Sequence, residues 1–189
     1  MKKKYIKIKI TGGYLKNRKI IIPYNLYLRP TINRMREKLF NWLSPIVKNS
    51  HCLDCFAGSG SLGIEALSRK ANNVILLEIN KNTTIKIINN LKLLNINKAK
   101  VININSLKWL SENKKKFNII FIDPPFYKNI INNTIKLIEN NKYLTYKTWI
   151  YIETEKKKSD NFIIPNNWYL KYETFTKNNT YRLYIRYKN

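Results

Sequence analysis

This 189-residue chain contains only three aspartates and five glycines, and most of them fall in two short segments. Residues 52–65 read CLDCFAGSGSLGIE and carry Asp54, Gly58, Gly60 and Gly63; residues 119–126 read IIFIDPPF and carry Asp123. An apolar run that ends in an acid and then a glycine loop is a strand delivering chain into a tight turn that can cradle a ligand. A second apolar run, ending in Asp123-Pro124-Pro125-Phe126, sets a carboxylate, two carbonyls with no competing N–H and an aromatic face at another strand end. A cofactor loop beside a place for a flat, amine-bearing ring points to methyl transfer onto the amino group of a nucleobase.

The chemistry at the second segment follows from the substrate. An exocyclic amine on guanine or adenine is a poor nucleophile because its lone pair is delocalised into the ring. A carboxylate at Asp123 and the Pro124 carbonyl can accept both amine hydrogens and hold the nitrogen so that its lone pair faces a methyl donor. Phe126 can stack on the base, a contact worth on the order of 1–3 kcal/mol. No strong base is needed before attack, which agrees with His51 being the only histidine. A cysteine after the first proline would signal covalent attack on a pyrimidine ring; Pro125 stands there instead. The bland readings are that Asp123 caps a turn and the prolines stop a strand. Guanine and adenine are not separated by this motif.

Gly58-Ser59-Gly60-Ser61-Leu62-Gly63 matches G-x-G-x-x-G, and Glu78 ends the next apolar run about twenty residues on, where an acid can bond both hydroxyls of a ribose. A nicotinamide enzyme would share these features. It would also need a second substrate-binding region, and it would leave the Asp-Pro-Pro-Phe segment idle. Cys52 and Cys55 form C-x-x-C inside the strand that feeds the loop, where buried thiols are the better account than a redox pair. Two cysteines and one histidine cannot build a structural zinc site without carboxylate help, so no metal is expected.

The elements that must position these residues alternate. Strands are predicted at 51–55, 73–78, 100–104, 117–122 and 148–153, with helices at about 60–70, 81–95, 105–113 and 129–140. That order argues for a parallel sheet covered by helices on both faces. The tail departs from it: 168–175 and 180–187 are strand-like runs joined by residues 176–179, a β-hairpin whose last strand runs antiparallel to its neighbour. The first fifty residues differ again. YIKIKI at 5–10 alternates apolar and basic, Gly12-Gly13 breaks it, and RKIIIP at 18–23 reads as a second strand. In LRPTINRMREKLFNWL, Thr31 is a plausible N-cap and Ile32, Met35, Leu39, Trp42 and Leu43 share one helical face, with Arg34 and Arg36 at its edge. The expected fold is α/β and Rossmann-like, a mostly parallel sheet with an antiparallel terminal hairpin. A small N-terminal β-hairpin and helix extension (1–45) precedes a catalytic domain (46–189).

Composition limits the partners. Lys and Arg number 36 against 11 Asp and Glu, a net charge of +25. A bias toward Lys, Asn and Ile accounts for much of the lysine but less readily for the excess of cations over acids, which suits a polyanion such as nucleic acid. No apolar stretch approaches the roughly 18 residues of a membrane span, and MKKKYIKIKI lacks the apolar core of a signal peptide. A cytoplasmic protein is expected.

LRPTINRMREKLFNWL, CLDCFAGSGSLGIEALSR, LLEIN, FIDPPF and the closing YRLYIR, in this order and spacing, closely resemble the RsmD family of bacterial 16S rRNA guanine-N2 methyltransferases. The resemblance covers essentially the whole chain and implies a class I, S-adenosyl-L-methionine-dependent enzyme acting on 16S rRNA of the small ribosomal subunit; a monomer is expected. It implies that the cofactor's methionine end lies near Asp54 and the loop Phe56, Ala57, Gly58, Ser59 and Gly60. The ribose falls at Glu78 and Ile79, and the adenine near Asn105 and Ser106. It implies that Asp123 to Phe126 hold the guanine, with Asp123 also among the cofactor-binding residues, and that Arg29, Thr31, Arg34 and Arg36 face RNA. Two residues depart from the family pattern: Asn80 stands where a second acid is expected, and Asn105 where an aspartate often accepts from the adenine amine. Weaker cofactor affinity, rather than its loss, is expected. An adenine-N6 methyltransferase and a non-catalytic RNA-binding assembly protein are the competing readings.

Overall fold

The computed structural model describes residues 5–23, 31–112, 115–125, 130–141, 143–156 and 162–188. A two-stranded antiparallel hairpin, β1 (Tyr5–Lys9) and β2 (Lys19–Pro23), leads to helix α1 (Thr31–Trp42). Then come β3 (His51–Asp54), α2 (Ser61–Ser68), β4 (Asn73–Glu78), α3 (Lys81–Leu93), β5 (Ala99–Asn103), α4 (Ser106–Glu112), β6 (Phe117–Ile122) and α5 (Ile130–Asn140). The chain closes with β7 (Leu144–Glu155), β8 (Trp168–Phe175) and β9 (Asn179–Tyr187). Every strand and helix expected from the sequence is present; β7 runs longer than its apolar centre suggested, from 144 to 155.

The seven-stranded sheet has the order β5-β4-β3-β6-β7-β9-β8. Strands β3 to β7 are mutually parallel, and β9 inserts antiparallel between β7 and β8. Central strands are apolar throughout because helices cover both faces: Ile119, Ile120, Phe121 and Ile122 of β6 are all fully buried. Strand order reverses between β3 and β6, since the chain builds outward through β4 and β5 before returning to the other side of β3. In open α/β sheets the crevice beyond the carboxyl ends of strands at such a reversal is where ligands bind. Asp54 and Asp123 stand on its two sides.

The N-terminal hairpin and α1 join the same core. Ile10, Leu15, Ile20 and Ile22 cluster with Leu39 and Phe40 of α1, with Leu43 just past it, and with Ile64 of α2, Leu76 of β4 and Ile87 of α3. Polar contacts fix the docking. The Ser68 hydroxyl donates to the Gly12 carbonyl at 2.5 Å and accepts from the Leu15 amide at 3.1 Å. Buried Asn90 of α3 bonds both the N–H and C=O of Ile21 at 2.9 and 2.8 Å, completing the open edge of β2 as a neighbouring strand would.

At the centre of this junction lies Glu65, 1% exposed. It accepts from the Thr11 amide (2.9 Å) and hydroxyl (2.7 Å), Arg36 Nε (3.1 Å) and Arg69 Nε (3.1 Å). Arg36 also donates to the Lys9 carbonyl and to Asn33 Oδ1 at 3.0 Å. This corrects one sequence expectation. Arg36 is 3% exposed and bound into the joint between hairpin, α1 and α2, so it does not face RNA. Burial works against its charge and lowers its pKa, while Glu65 opposes that shift.

Candidate active site

Strand β3 ends in Asp54, whose side chain is buried on the same sheet face as Phe121, its register partner on β6. Pairing continues one residue further, the Cys55 amide donating to the Phe121 carbonyl, and then the chain turns away from the sheet. The Ala57 amide donates to Leu77 O at 2.9 Å, and Gly60, at φ +75°, turns the chain into α2. A Cβ at Gly63 would lie 2.7 Å from Leu76 Cδ2, so α2 rests on β4 at a distance that only glycine permits. Gly60 offers α2 no side-chain cap, and the Ser59 hydroxyl accepts only the Ser61 amide, at 3.4 Å.

Both Asp54 carboxylate oxygens are buried without a hydrogen-bond partner. Burial pushes the Asp54 pKa up to about 7; the Phe56 and Gly63 amides, facing it too loosely to count as hydrogen bonds, offset part of this, and Glu78 adds to it. A buried carboxylate met only loosely by two amides is poised for a donor that arrives with a ligand.

Glu78 ends β4 and grips the loop, accepting from the Gly58 amide at 2.9 Å and the Asn80 amide at 2.7 Å. Each carboxylate oxygen keeps a further lone-pair direction for a hydroxyl. Ile79 beside it is 68% exposed, a free apolar surface at the mouth of the crevice. Asn103, which the sequence did not single out, donates from Nδ2 to the Glu78 and Ile79 carbonyls, both at 2.8 Å, and fixes this corner. The residue types at the two departures have local reasons. Asn80 caps α3 through Thr83 N at 3.0 Å, and Asn105 caps α4 through the Leu107 and Lys108 amides at 2.9 and 3.2 Å. Asn105 itself is exposed. The buried Ser106 hydroxyl donates to the Cys55 carbonyl and ties α4 to the end of β3.

Asp123 follows β6 directly, with buried Pro124 and exposed Pro125 after it. It keeps partial contact with solvent, yet its pKa lies well above the carboxylate range, first because of burial, then because Glu153 and Asp54 face it. Sequence reasoning passed over Glu153, although an acid at the end of WIYIE on the strand beside β6 was the available signal.

The fold thus gathers Asp54, the loop 56–60, Glu78, Ile79, Asn105, Ser106 and Asp123 to Pro125 at one edge of the sheet. Phe126 and Arg29 lie outside the described residues. Thr31 opens α1, and Arg34 is exposed on it. His51 sits at the opposite end of β3, within 3.3 Å of Asn72, remote from this edge. Cys52 and Cys55 are fully buried on opposite faces of β3, one in each core cluster, so they cannot pair. Burial pushes the Cys52 thiol up to about 12 and raises Cys55 well above its ordinary value. Among the described residues no group of acids, histidines or cysteines is arranged to hold a metal.

A family model described as conserved hypothetical protein 95 matches residues 8–185. The chain is 48% identical over 184 residues to the ribosomal RNA small subunit methyltransferase D of Buchnera aphidicola from Acyrthosiphon pisum, covering 97% of this chain and 95% of that protein. It is 42% identical to the protein of the same name from Escherichia coli K12 over 95% of this chain and 90% of that one. A solved putative methyltransferase from Escherichia coli superposes with a TM-score of 0.89 at 41% identity, covering 97% of this chain and all of that one. A putative methylase from Haemophilus influenzae superposes at 0.83 and 39% identity, again over 97% of this chain and all of the other.

Proposed function

Because the chain belongs to the ribosomal RNA small subunit methyltransferase D family, we propose that it transfers a methyl group from S-adenosyl-L-methionine to the exocyclic N2 of one guanine in 16S rRNA. The observation that carries this reading is the pairing of Asp123-Pro124 with Asp54 and the Glu78-gripped glycine loop across a single strand-order reversal.

The cofactor, when bound, supplies an electrophilic methyl group on a positively charged sulfur. This chain's residues fit it. The unpartnered Asp54 carboxylate and the uncapped start of α2 suit its methionine end. The free lone pairs of Glu78 suit its ribose, and exposed Ile79 with Asn105 and Ser106 suits the adenine. Asp123 and the Pro124 carbonyl accept the two hydrogens of the guanine amine and turn its lone pair toward the methyl group, and Phe126 stacks on the base. Catalysis is then mainly positioning, with Asp123 gaining importance as the nitrogen becomes positive in the transition state. Arg29, Thr31 and Arg34 form the RNA-facing part of the N-terminal extension. We place the protein in the cytoplasm as a monomer acting on the small ribosomal subunit; among the described residues no helix is long and apolar enough to cross a membrane.

The test is transfer of a tritiated methyl group to small subunits that lack the modification, followed by nucleoside analysis. N2-methylguanosine is expected. N6-methyladenosine would replace the guanine assignment, and absence of transfer would leave an RNA-binding role.

A further inference from the structure

Four of the chain's 11 acids converge on the catalytic edge of a protein with 36 basic residues, and the mechanism above uses only Asp54, Glu78 and Asp123. The fourth is Glu153. Register sets it beside Asp123: Phe121 pairs with Tyr151 and Ile122 with Ile152, so Asp123 and Glu153 are the next residues along adjacent parallel strands. The rings of Phe121 and Tyr151 meet on one sheet face at 6.4 Å, and strand alternation carries the two acids to that same face. Asp54 lies one strand over, and Tyr181 is Glu153's register partner on β9.

Glu153 is held firmly. The Tyr151 hydroxyl donates to it at 3.0 Å and Asn179 Nδ2 at 2.7 Å, so both carboxylate oxygens have donors before any substrate arrives. Among the described residues no side chain donates a hydrogen bond to Asp123. Among the described residues, the titratable groups that act on this pair are Asp54 on β3, Tyr181 on β9 and Tyr151 on β7 itself, with Asp123 just past the end of β6.

We propose that Glu153 is a positioning residue for Asp123: the two carboxylates hold one proton between them, and the donors on Glu153 keep its charge in place so that Asp123 carries the proton until cofactor and substrate displace it. This deepens the methyltransferase reading and rests on it. The step it serves is balanced. The amine nitrogen forms a bond to the methyl carbon while the C–S bond breaks with its electron pair left on sulfur. The nitrogen, now cationic, gives one N–H proton to the Asp123 carboxylate. One positive and one negative charge become neutral products, and the proton leaves to water as the site opens. The fixed negative charge of Glu153 makes Asp123 a strong enough acceptor for that proton. It also makes the empty site take up a proton that a cationic methyl donor must expel. Burial and then Glu153 raise the Asp123 pKa; burial raises Glu153 as well, and the Asn179 and Tyr151 donors work against that rise.

The test is calorimetry of S-adenosylmethionine binding in buffers of different ionisation enthalpy, on the full chain, comparing parent with Glu153→Gln and Tyr151→Phe. The parent should release a substantial fraction of a proton near neutral pH. Glu153→Gln should release far less, and Tyr151→Phe should fall between. The acid limb of kcat/KM should move down by about one pH unit in Glu153→Gln, the scale of losing one nearby like charge. Equal proton release and an unmoved limb in all three proteins would overturn the inference while leaving the methyltransferase reading intact. If the Gln variant fails to fold, Tyr151→Phe decides by the same two readouts. A parent that does not bind the cofactor would instead sink the functional reading on which the inference stands.

Discussion

Asp54 ends a buried strand with neither carboxylate oxygen in a hydrogen bond, and its pKa stands at about 7. The sign of its effect on stability follows from the raised value. Below pH about 4 folded and unfolded chains both hold the proton; as pH rises to about 7 only the folded chain keeps it, so stability falls across that window, by about 4 kcal/mol at most. Thermal denaturation of the cofactor-free protein should therefore give a lower Tm at pH 8 than at pH 5, and Asp54→Asn should flatten much of that slope. An identical slope in the variant would show that Asp54 is solvated. Glu78 acts differently, through hydrogen bonds to two backbone amides and through lone pairs left for a ribose. Glu78→Ala should weaken S-adenosylmethionine binding by roughly 1–3 kcal/mol, the scale of a lost charge-assisted hydrogen bond, as read by calorimetry. Asp123→Ala should lower the rate of transfer on the order of hundredfold or more, because its acceptor role grows in the transition state.

Helix α1 divides its two arginines between unlike tasks. Arg36 turns inward to Glu65, with side-chain exposures of 2% and 1%, and Arg69 joins from the other side of the carboxylate. Removing Arg36 leaves Glu65 with Arg69 and Thr11 but takes away a charge-assisted bond to it and the links to Lys9 and Asn33. Arg36→Ala should cost roughly 1–3 kcal/mol of stability, seen as a lower denaturation midpoint, the scale of a lost buried charge-assisted hydrogen bond. Arg34, two residues earlier, points to solvent. Arg34→Ala should change stability by no more than about 0.5 kcal/mol while lowering affinity for rRNA, measured by filter binding beside the parent. Equal loss of RNA binding in both variants, with Arg36→Ala still folded, would return Arg36 to the RNA surface. The C-terminal half of α1 is anchored too: Trp42 stacks on Tyr172 of β8 at 5.1 Å, and Lys38 donates to Thr174 at 2.7 Å. The helix is thus fixed at both ends against the body that holds the cofactor loop.

At the scale of the whole molecule the net charge of +25 should show itself as a steep loss of rRNA affinity between low and moderate salt, because each phosphate contact releases counterions. A flat salt profile would assign the lysines to composition alone. Periodicity made the alternation of strands and helices and the antiparallel terminal hairpin legible from the sequence, because apolar period follows directly from which faces a strand or helix must bury. The glycine loop, Glu78 and Asp123 were legible for a related reason: each sits where a strand must end, and a chemically unusual residue at a strand end is a local feature. Pairing across the molecule was not local. The order β5-β4-β3-β6-β7-β9-β8, which sets Glu153 beside Asp123, is fixed by packing among segments far apart in sequence. The inward turn of Arg36 was equally hidden, since Arg34 and Arg36 both border the apolar stripe of α1. Only the presence of Glu65, twenty-nine residues later on α2, decides which guanidinium is drawn into the core, because a buried charge is tolerated only where an opposite charge is waiting for it.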